Sequence, residues 1–279
     1  MKLQLRTQRL LLGLRGLALL RGWPFESSEE ANAHIVAIEE LVADEQAIQS
    51  VVEIDDPGLR AAYASWSETY DTISNPLIDT EEPVLRSFLA NIKPGRAIDV
   101  ACGTWRLAGI LSQAGHNVVA VDASPEMLQR ARANEPHAKL LQGDVSRLPV
   151  RSESMDLAVC ALALTHVEDL SLPLAEIARV VRPGGCVLLS DVHPVAVATG
   201  AQAFFKMSDG SRAVARNHVH WPSAYVDAFS ASGLVVERMS EPLVDERFGA
   251  DVAVPEIRLA IGVSLTGLPL VIIWLLRKT

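Results

Sequence analysis

The strongest constraint on the fold is a regular alternation of short apolar runs with helical segments, which begins near residue 96. Runs such as RAIDVAC, NVVAVDAS and MDLAVCALAL are apolar almost throughout, and the segments that follow them have helical spacing of apolar side chains. Strands that are apolar along their whole length are buried on both faces, as in a parallel sheet covered by helices on each side. The alternation therefore predicts an open α/β fold. Residues 26–92 instead show helical patterns, and no β-rich run precedes residue 96.

Composition excludes several classes of protein. Hydrophobic residues make up 49% of the 279 residues, enough for one large domain or for a core domain with an appendage. The formal net charge of −9 argues against nucleic-acid binding through a basic surface. Cys102, Cys160 and Cys186 are too widely spaced for a disulfide framework or a zinc site. We therefore expect a cytoplasmic protein without a metal.

Two terminal segments are rich in leucine and other apolar residues. Residues 1–23 are basic, and their leucines recur at intervals of three and four, which predicts an amphipathic helix. Packing of this helix on its own chain, or in a homodimer, is favoured over contact with a membrane surface. Residues 259–276 carry no charge, but Gly267 and Pro269 interrupt them. The run LVIIWLL that follows is typical of a buried final strand rather than a membrane span.

Three aspartates lie in or directly after consecutive predicted strands, where open parallel sheets bind their ligands. Asp122 is suited to accept both hydroxyls of a ribose, and Asp144 to accept a hydrogen bond from an exocyclic amine. Asp99 is suited to orient backbone N–H groups of the next loop or to meet a cationic group. One such aspartate is more often a turn former or a helix cap. Three in succession beside a loop of small residues point to a ligand.

The loop ACGTWR, residues 101–106, excludes two common phosphate sites. It contains a single glycine, so it lacks the Gly-x-Gly-x-x-Gly pattern of dinucleotide binding. No Gly-Lys-Ser/Thr follows it, so a P-loop is absent as well. A nicotinamide or ATP site is therefore not expected here.

From Asp99 to Gly185 the chain resembles the class I S-adenosylmethionine-dependent methyltransferases, in particular those that act on small molecules. The segment IDVACGTWRLAGIL resembles the first motif of the family, Asp-x-Gly-x-Gly-x-Gly. Further motifs are resembled by VVAVDASPEMLQRAR, by LLQGDVSRLPVRSESMDLAVCALALTHV and by LAEIARVVRPGGCVLLSD. The resemblance implies a Rossmann-like, doubly wound, seven-stranded and mostly parallel sheet with the last strand antiparallel. It also implies an N-terminal helical cap or lid at 1–92 and a core at 93–279, with a substrate-covering insertion near 194–222.

The resemblance further implies S-adenosylmethionine as the cofactor and a small molecule as the methyl acceptor. The implied cofactor-binding residues are Tyr70, Asp99, Ala101, Cys102, Gly103, Thr104, Trp105, Asp122, Ala123, Met127, Asp144, Val145, Cys160, Ala161 and Leu162. Two histidines, His166 and His193, follow the fourth and fifth strands of the core and are the candidate general bases. The sequence does not identify the acceptor.

Trp105 departs most from the family pattern, because it stands where the first motif has its last glycine. Ala101 in place of the first glycine is a much smaller change. We expect the Trp105 side chain to lie at the pocket wall and to lower cofactor affinity relative to glycine. An active methyltransferase is the favoured function. Non-methylating chemistry on the same fold, such as cyclisation, and impaired cofactor binding because of Trp105 are the alternatives.

Overall fold

The computed structural model of the protein describes residues 2–44, 51–72, 75–245, 247–249, 252 and 254–279. The chain divides into two compact units, one of Met1–Asp56 with Leu243–Leu268 and one of Pro57–Pro242 with Pro269–Thr279. This division differs from the predicted boundary between residues 92 and 93. Segment 57–92 belongs to the second unit because Leu85 and Phe88 pack into one apolar cluster with the strands of that unit.

The first unit contains two strands as well as helices. Its elements are β1 (Lys2–Leu5), α1 (Thr7–Gly22), α2 (Ser28–Ala43), β2 (Val52–Asp55) and α10 (Pro255–Leu265). Leu11 and Leu14 of α1 pack with Ala260 of α10, so the predicted amphipathic helix does pack on its own chain. Strands β1 and β2 pair antiparallel, which corrects the expectation of a purely helical N-terminal region. Each strand has four residues, the shortest length at which alternation of apolar and polar side chains indicates a strand.

The second unit is built on a seven-stranded sheet. Its strands are β3 (Arg96–Val100), β4 (Asn117–Asp122), β5 (Lys139–Gln142), β6 (Met155–Ala161), β7 (Val181–Val192), β10 (Leu234–Ser240) and β11 (Val271–Lys278). Their order is β10-β11-β7-β6-β3-β4-β5. Strands β7, β6, β3, β4 and β5 run parallel, whereas β11 is antiparallel to both β7 and β10. The predicted mostly parallel sheet with an antiparallel last strand is confirmed.

Helices cover both faces of this sheet. They are α3 (Leu59–Trp66), α4 (Pro76–Leu89), α5 (Arg106–Gln113), α6 (Pro125–Asn134), α7 (Ser171–Val180), α8 (Pro194–Ala198) and α9 (Pro222–Ala231), with 3-10 turns at Tyr70–Thr72 and Leu164–His166. Leu85 of α4 and Leu111 of α5 pack in one apolar cluster, and Ile177 of α7 and Phe229 of α9 pack in another. The two clusters form the core on opposite sides of the sheet, which makes the fold doubly wound.

The predicted insertion near 194–222 contains α8 and a β-hairpin. Strands β8 (Ala203–Lys206) and β9 (Arg212–Ala215) pair antiparallel, and Phe205 packs in a small cluster with Ala62 of α3. The Asp-Gly pair at 209–210 is a common hairpin-turn sequence and is a local signal for these strands, which were not predicted. No helix in the described part of the chain has both the length and the apolar composition needed to cross a membrane.

Candidate functional site

The loop between β3 and α5 has the backbone conformation of three glycines, although it contains only one. Ala101, Gly103 and Trp105 have φ angles of 55°, 53° and 93°. A left-handed residue other than glycine costs roughly 1–2 kcal/mol, so such angles persist only where neighbouring structure holds them. Here β4 holds the loop: Cys102 N–H donates to the carbonyl of Val121 at 3.0 Å. The loop has therefore kept the backbone shape that the family motif requires.

A cavity of ≈ 30 Å³ lies against this loop, space for about two water molecules. Its lining residues are Tyr70, Asp99, Ala101, Cys102, Gly103, Thr104, Arg106, Leu107 and Ala161. All of these except Arg106 and Leu107 are among the predicted cofactor-binding residues. The Thr104 hydroxyl donates to Asp71 Oδ1 at 2.7 Å, which holds the turn at Tyr70–Thr72 against the loop.

Asp99 is a buried carboxylate and Asp122 a half-buried one, and both hold backbone N–H groups of the loop or of the helix that follows it. Asp99 Oδ2 accepts from the N–H of Ala108 at 2.8 Å, near the start of α5. Burial raises the pKa of Asp99 to about 7, and the charge of Arg106 opposes this shift. Asp122 accepts from the N–H groups of Gly103 and Ser124, each at 2.8 Å, and burial raises its pKa as well. A carboxylate has about four lone-pair sites, so both groups can still accept hydrogen bonds from a ligand.

A buried ion pair behind the cavity was missed by the sequence analysis. Glu81 is fully buried, and Arg106 Nη2 donates to its Oε1 at 2.5 Å. The hydroxyl of Ser190, at the end of β7, donates to the other oxygen of Glu81. Arg106 Nη1 is buried and has no hydrogen-bond partner among the described residues. The one available signal was an arginine in the first turn of a helix, where the helix dipole disfavours a cation.

Eight of the predicted residues lie outside the lining of this cavity: Trp105, Asp122, Ala123, Met127, Asp144, Val145, Cys160 and Leu162. Met127 and Cys160 are core residues, and Val145 packs against the same core. Asp144 is exposed, and its Oδ1 accepts from the N–H of Ser146 at 2.8 Å, which is the geometry of a turn former.

A second, wider cleft borders the carboxyl ends of β4 and β5, the region where Asp122 and Asp144 lie. Its volume is ≈ 450 Å³. It is lined by the start of α3, the start of α6 and the last residue of β5, namely Pro57, Gly58, Leu59, Arg60, Ala61, Ala64, Pro125, Glu126 and Gln142. None of these residues was predicted to bind the cofactor.

Trp105 lines neither of these two cavities, which differs from its expected position at the pocket wall. Its indole lies along α5: a Cβ atom built on Gly109 would be 3.4 Å from Trp105 Cδ1 and 3.5 Å from Nε1. The side chain is half-buried against the cluster that contains Phe88 and Leu107. The indole thus lies beside Gly109 on the helix, one turn away from the loop, at a distance where a Cβ at 109 would make ordinary van der Waals contact.

The two candidate bases, His193 and His166, differ in how many of their ring nitrogens take part in hydrogen bonds. His193 Nδ1 accepts from the N–H of Val195 at 3.2 Å, and its Nε2 donates to Glu241 Oε1 at 3.0 Å. Both nitrogens are occupied, so this geometry corrects the prediction that His193 is a general base. His166 donates from Nδ1 to the carbonyl of Arg216 at 2.7 Å, which leaves the Nε2 lone pair available. Burial lowers the pKa of His166, so its ring is neutral at pH 7.

Metal chemistry finds no support in the described residues. Among them, no three His, Cys, Asp or Glu side chains are close enough together to hold a metal ion.

Comparison with known proteins identifies the family of this sheet and loop. Residues 98–189 match a family described as methyltransferase domain. The malonyl-[acyl-carrier protein] O-methyltransferase of Pectobacterium atrosepticum is 31% identical over 133 residues, which cover 48% of this chain and 51% of that protein. The demethylmenaquinone methyltransferase of Streptomyces avermitilis is 32% identical over 133 residues, covering 46% and 58%. The chain thus matches only about half the length of these curated relatives.

Solved structures share the fold. An S-adenosylmethionine-dependent methyltransferase from Mesorhizobium loti superposes with a TM-score of 0.55 at 24% identity, covering 71% of this chain and 98% of that one. The geranyl diphosphate C-methyltransferase of Streptomyces coelicolor gives 0.53 at 15% identity, covering 71% and 79%. With the motif loop and the sheet order, the match at residues 98–189 shows a methyltransferase domain in this chain, and these solved structures share its fold.

Proposed function

We propose that this protein transfers a methyl group from S-adenosylmethionine to a small-molecule acceptor. The observation that carries the proposal is the left-handed backbone at Ala101, Gly103 and Trp105, kept in spite of two residues that are strained there. Strain of this kind is typical of functional sites, where the surrounding structure maintains it. The methyltransferase relatives support the same reaction class.

The residues around the small cavity fit the charged end of this cofactor. The amino-acid end of S-adenosylmethionine carries an ammonium and a carboxylate. Asp99 is a buried carboxylate suited to the ammonium group. Arg106 Nη1 is buried, lies 3.8 Å from Glu82 Oε2 and has no hydrogen-bond partner among the described residues, so it is suited to the carboxylate of the cofactor. Asp122, at the end of β4, is suited to the ribose hydroxyls, and Asp144 to the adenine amine.

The bound cofactor supplies a methyl group on a sulfonium, so the protein has to supply alignment, exclusion of water and acceptance of a proton. The turn at Tyr70–Thr72 covers the loop and excludes water from it. His166 is neutral and has a free Nε2, so it is the residue suited to take a proton from an O–H or N–H acceptor.

Two finer proposals concern partners and location. Three free, buried cysteines support a cytoplasmic location, where thiols stay reduced.

Trp23 and Phe25, at the end of α1, are 83% and 92% exposed, and these side chains support a homodimer through the N-terminal region. Light scattering on the wild type and on Trp23→Ser/Phe25→Ser tests this contact. A wild type that is monomeric at high concentration contradicts it.

Calorimetry with S-adenosylmethionine and S-adenosylhomocysteine tests the proposed reaction class. We expect one site per chain for both ligands, with affinity reduced at least about tenfold in Asp122→Ala because two ribose hydrogen bonds are lost. Release of S-adenosylhomocysteine is then measured with a panel of small-molecule acceptors. Absence of binding by either ligand contradicts the proposal. Binding without methyl transfer to any member of the panel favours the non-methylating alternative.

A further inference from the structure

The turn that carries His166 is fixed by the insertion that runs beside it. His166 Nδ1 donates to the carbonyl of Arg216, and the N–H of His218 donates to the carbonyl of Thr165, both at 2.7 Å. His220 Nε2 donates to the carbonyl of Val167, also at 2.7 Å. Residues 165–167 and 216–220 are thus joined by successive hydrogen bonds, which set the direction of the His166 ring.

A buried aspartate anchors the same turn from the sheet. Asp191, near the end of β7, is 1% exposed, and its carboxylate lies near the backbone N–H of Thr165, which acts to lower its pKa. It accepts from the Tyr225 hydroxyl at 2.5 Å and from the N–H of Val192 at 2.9 Å. Tyr225 lies on α9 and is itself 2% exposed. One carboxylate therefore ties together β7, α9 and the turn after β6.

The surroundings of Asp191 are those of an apolar core. Its register partner on β11 is Ile272, and Tyr225 contacts the rings of Phe229 and Trp274. A carboxylate in such a place stabilises the fold less than an apolar side chain of similar size, because its desolvation is costly. Burial raises the pKa of Asp191 to about 7 in spite of the hydrogen bonds that it accepts. Stability alone does not require the pair of Asp191 and Tyr225, which indicates that its role is to position the elements that it joins.

We propose that Asp191 and Tyr225 are positioning residues for His166. Asp191 holds the N–H of Thr165, Tyr225 holds the carboxylate in the orientation that accepts it, and the turn then presents the His166 ring to the acceptor. This assignment rests on the proposed function, in which His166 accepts a proton. Asp191 itself lines neither cavity and touches no reacting atom.

The test compares Asp191→Asn and Tyr225→Phe with Phe229→Leu as the matched control. Phe229 lies on α9 in the same core cluster and is 1% exposed, so its truncation lowers stability without removing a hydrogen bond to Asp191. Tyr225→Phe removes only one hydroxyl, and it keeps the proposal testable if Asp191→Asn does not fold. All proteins are studied as full chains at pH 8.

Two nuclear magnetic resonance measurements test the geometry without any methyl acceptor. Amide exchange of Thr165 should become about five- to tenfold faster in both polar variants, because one hydrogen bond of roughly 1 kcal/mol is lost or loosened. The pKa of the His166 ring, depressed in the wild type, should move up toward its ordinary value in these variants. The control Phe229→Leu should leave both readings unchanged. Unchanged Thr165 exchange and unchanged His166 titration in Asp191→Asn overturn the proposal.

Kinetics separate this inference from the proposed function. With an accepted substrate, kcat should fall by about tenfold or more in Asp191→Asn and less in Tyr225→Phe, while the KM for the cofactor stays within about threefold. A fall in cofactor affinity equal to the fall in kcat would show a general structural role and overturn the assignment. If the wild type binds no cofactor, the reaction class fails, whereas the resonance measurements still decide whether Asp191 positions the turn.

Discussion

Replacement of Trp105 tests how the motif loop tolerates a tryptophan. The φ of 93° costs a non-glycine residue roughly 1–2 kcal/mol, and only glycine removes this cost. Loss of the half-buried indole should cost about 1–1.5 kcal/mol, half of what full burial of a large apolar side chain contributes. Trp105→Ala loses the indole and keeps the strain, so it should be destabilised by about 1 kcal/mol or more. Trp105→Gly should remain within about 1 kcal/mol of the wild type.

Urea denaturation followed by circular dichroism measures these differences, and calorimetry with S-adenosylhomocysteine measures affinity. Since the indole lies beside Gly109 and outside the cavity lining, Trp105→Gly should change affinity by less than about threefold, or under 1 kcal/mol. A gain of tenfold or more would show that the indole occupies cofactor space and refute the reasoning. An alanine variant as stable as the glycine variant would refute the strained backbone.

The remaining predictions concern helix, charge and pH. Gly109→Ala should raise the free energy of unfolding by about 0.5–1 kcal/mol in urea melts, because alanine favours the helix and its Cβ has room. Glu81→Gln should lower that free energy by about 3 kcal/mol, since Arg106 loses its buried partner. The more exposed Glu82→Gln should lower it by less than about 1 kcal/mol; equal losses would contradict the burial argument. Burial raises the pKa of Asp99 to about 7, whereas the unfolded value is about 3.9. The contribution of Asp99 to stability is therefore full below pH 4 and is lost as pH rises to 7. Asp99→Asn, which keeps an acceptor oxygen, should make this slope shallower in pH-stepped melts without removing it, because Asp191, whose pKa is also raised to about 7, contributes over the same range.

The parts of the fold that the sequence predicts are those fixed by local pattern. Buried strands are recognised in the sequence as continuous apolar runs. The loop at the end of such a strand comes directly after it, so its glycine and aspartate residues can be identified as well. The apolar runs therefore predicted the strands of the sheet, whereas the antiparallel direction of β11 and most residues that line the small cavity were implied by the family resemblance. The four-residue strands β1 and β2 were not predicted, because alternation of apolar and polar residues over four positions is a weak signal of a strand.

The parts that escaped prediction depend on distant partners. Glu81 and Arg106 lie 25 residues apart in sequence, and nothing local indicates that the two charges meet in the core. The direction of Trp105 depends on its φ angle, which neighbouring strands impose. His193 follows a strand as a base would, yet Glu241, on a later segment, occupies its second ring nitrogen. The position of a residue in the sequence indicates at which edge of the sheet its side chain lies. Packing against distant segments decides which of its atoms are left without a hydrogen-bond partner.

The turn at Tyr70–Thr72 has a kinetic consequence. With Asp71 bound to Thr104, the space beside the loop is ≈ 30 Å³, whereas a cofactor-sized ligand needs a site of about 300 Å³ or more. Entry therefore has to wait until this turn moves away. In stopped-flow mixing, the observed rate should rise with ligand concentration only up to a plateau, and that plateau measures how often the turn opens. The turn that covers the site thus also limits how fast the ligand enters it.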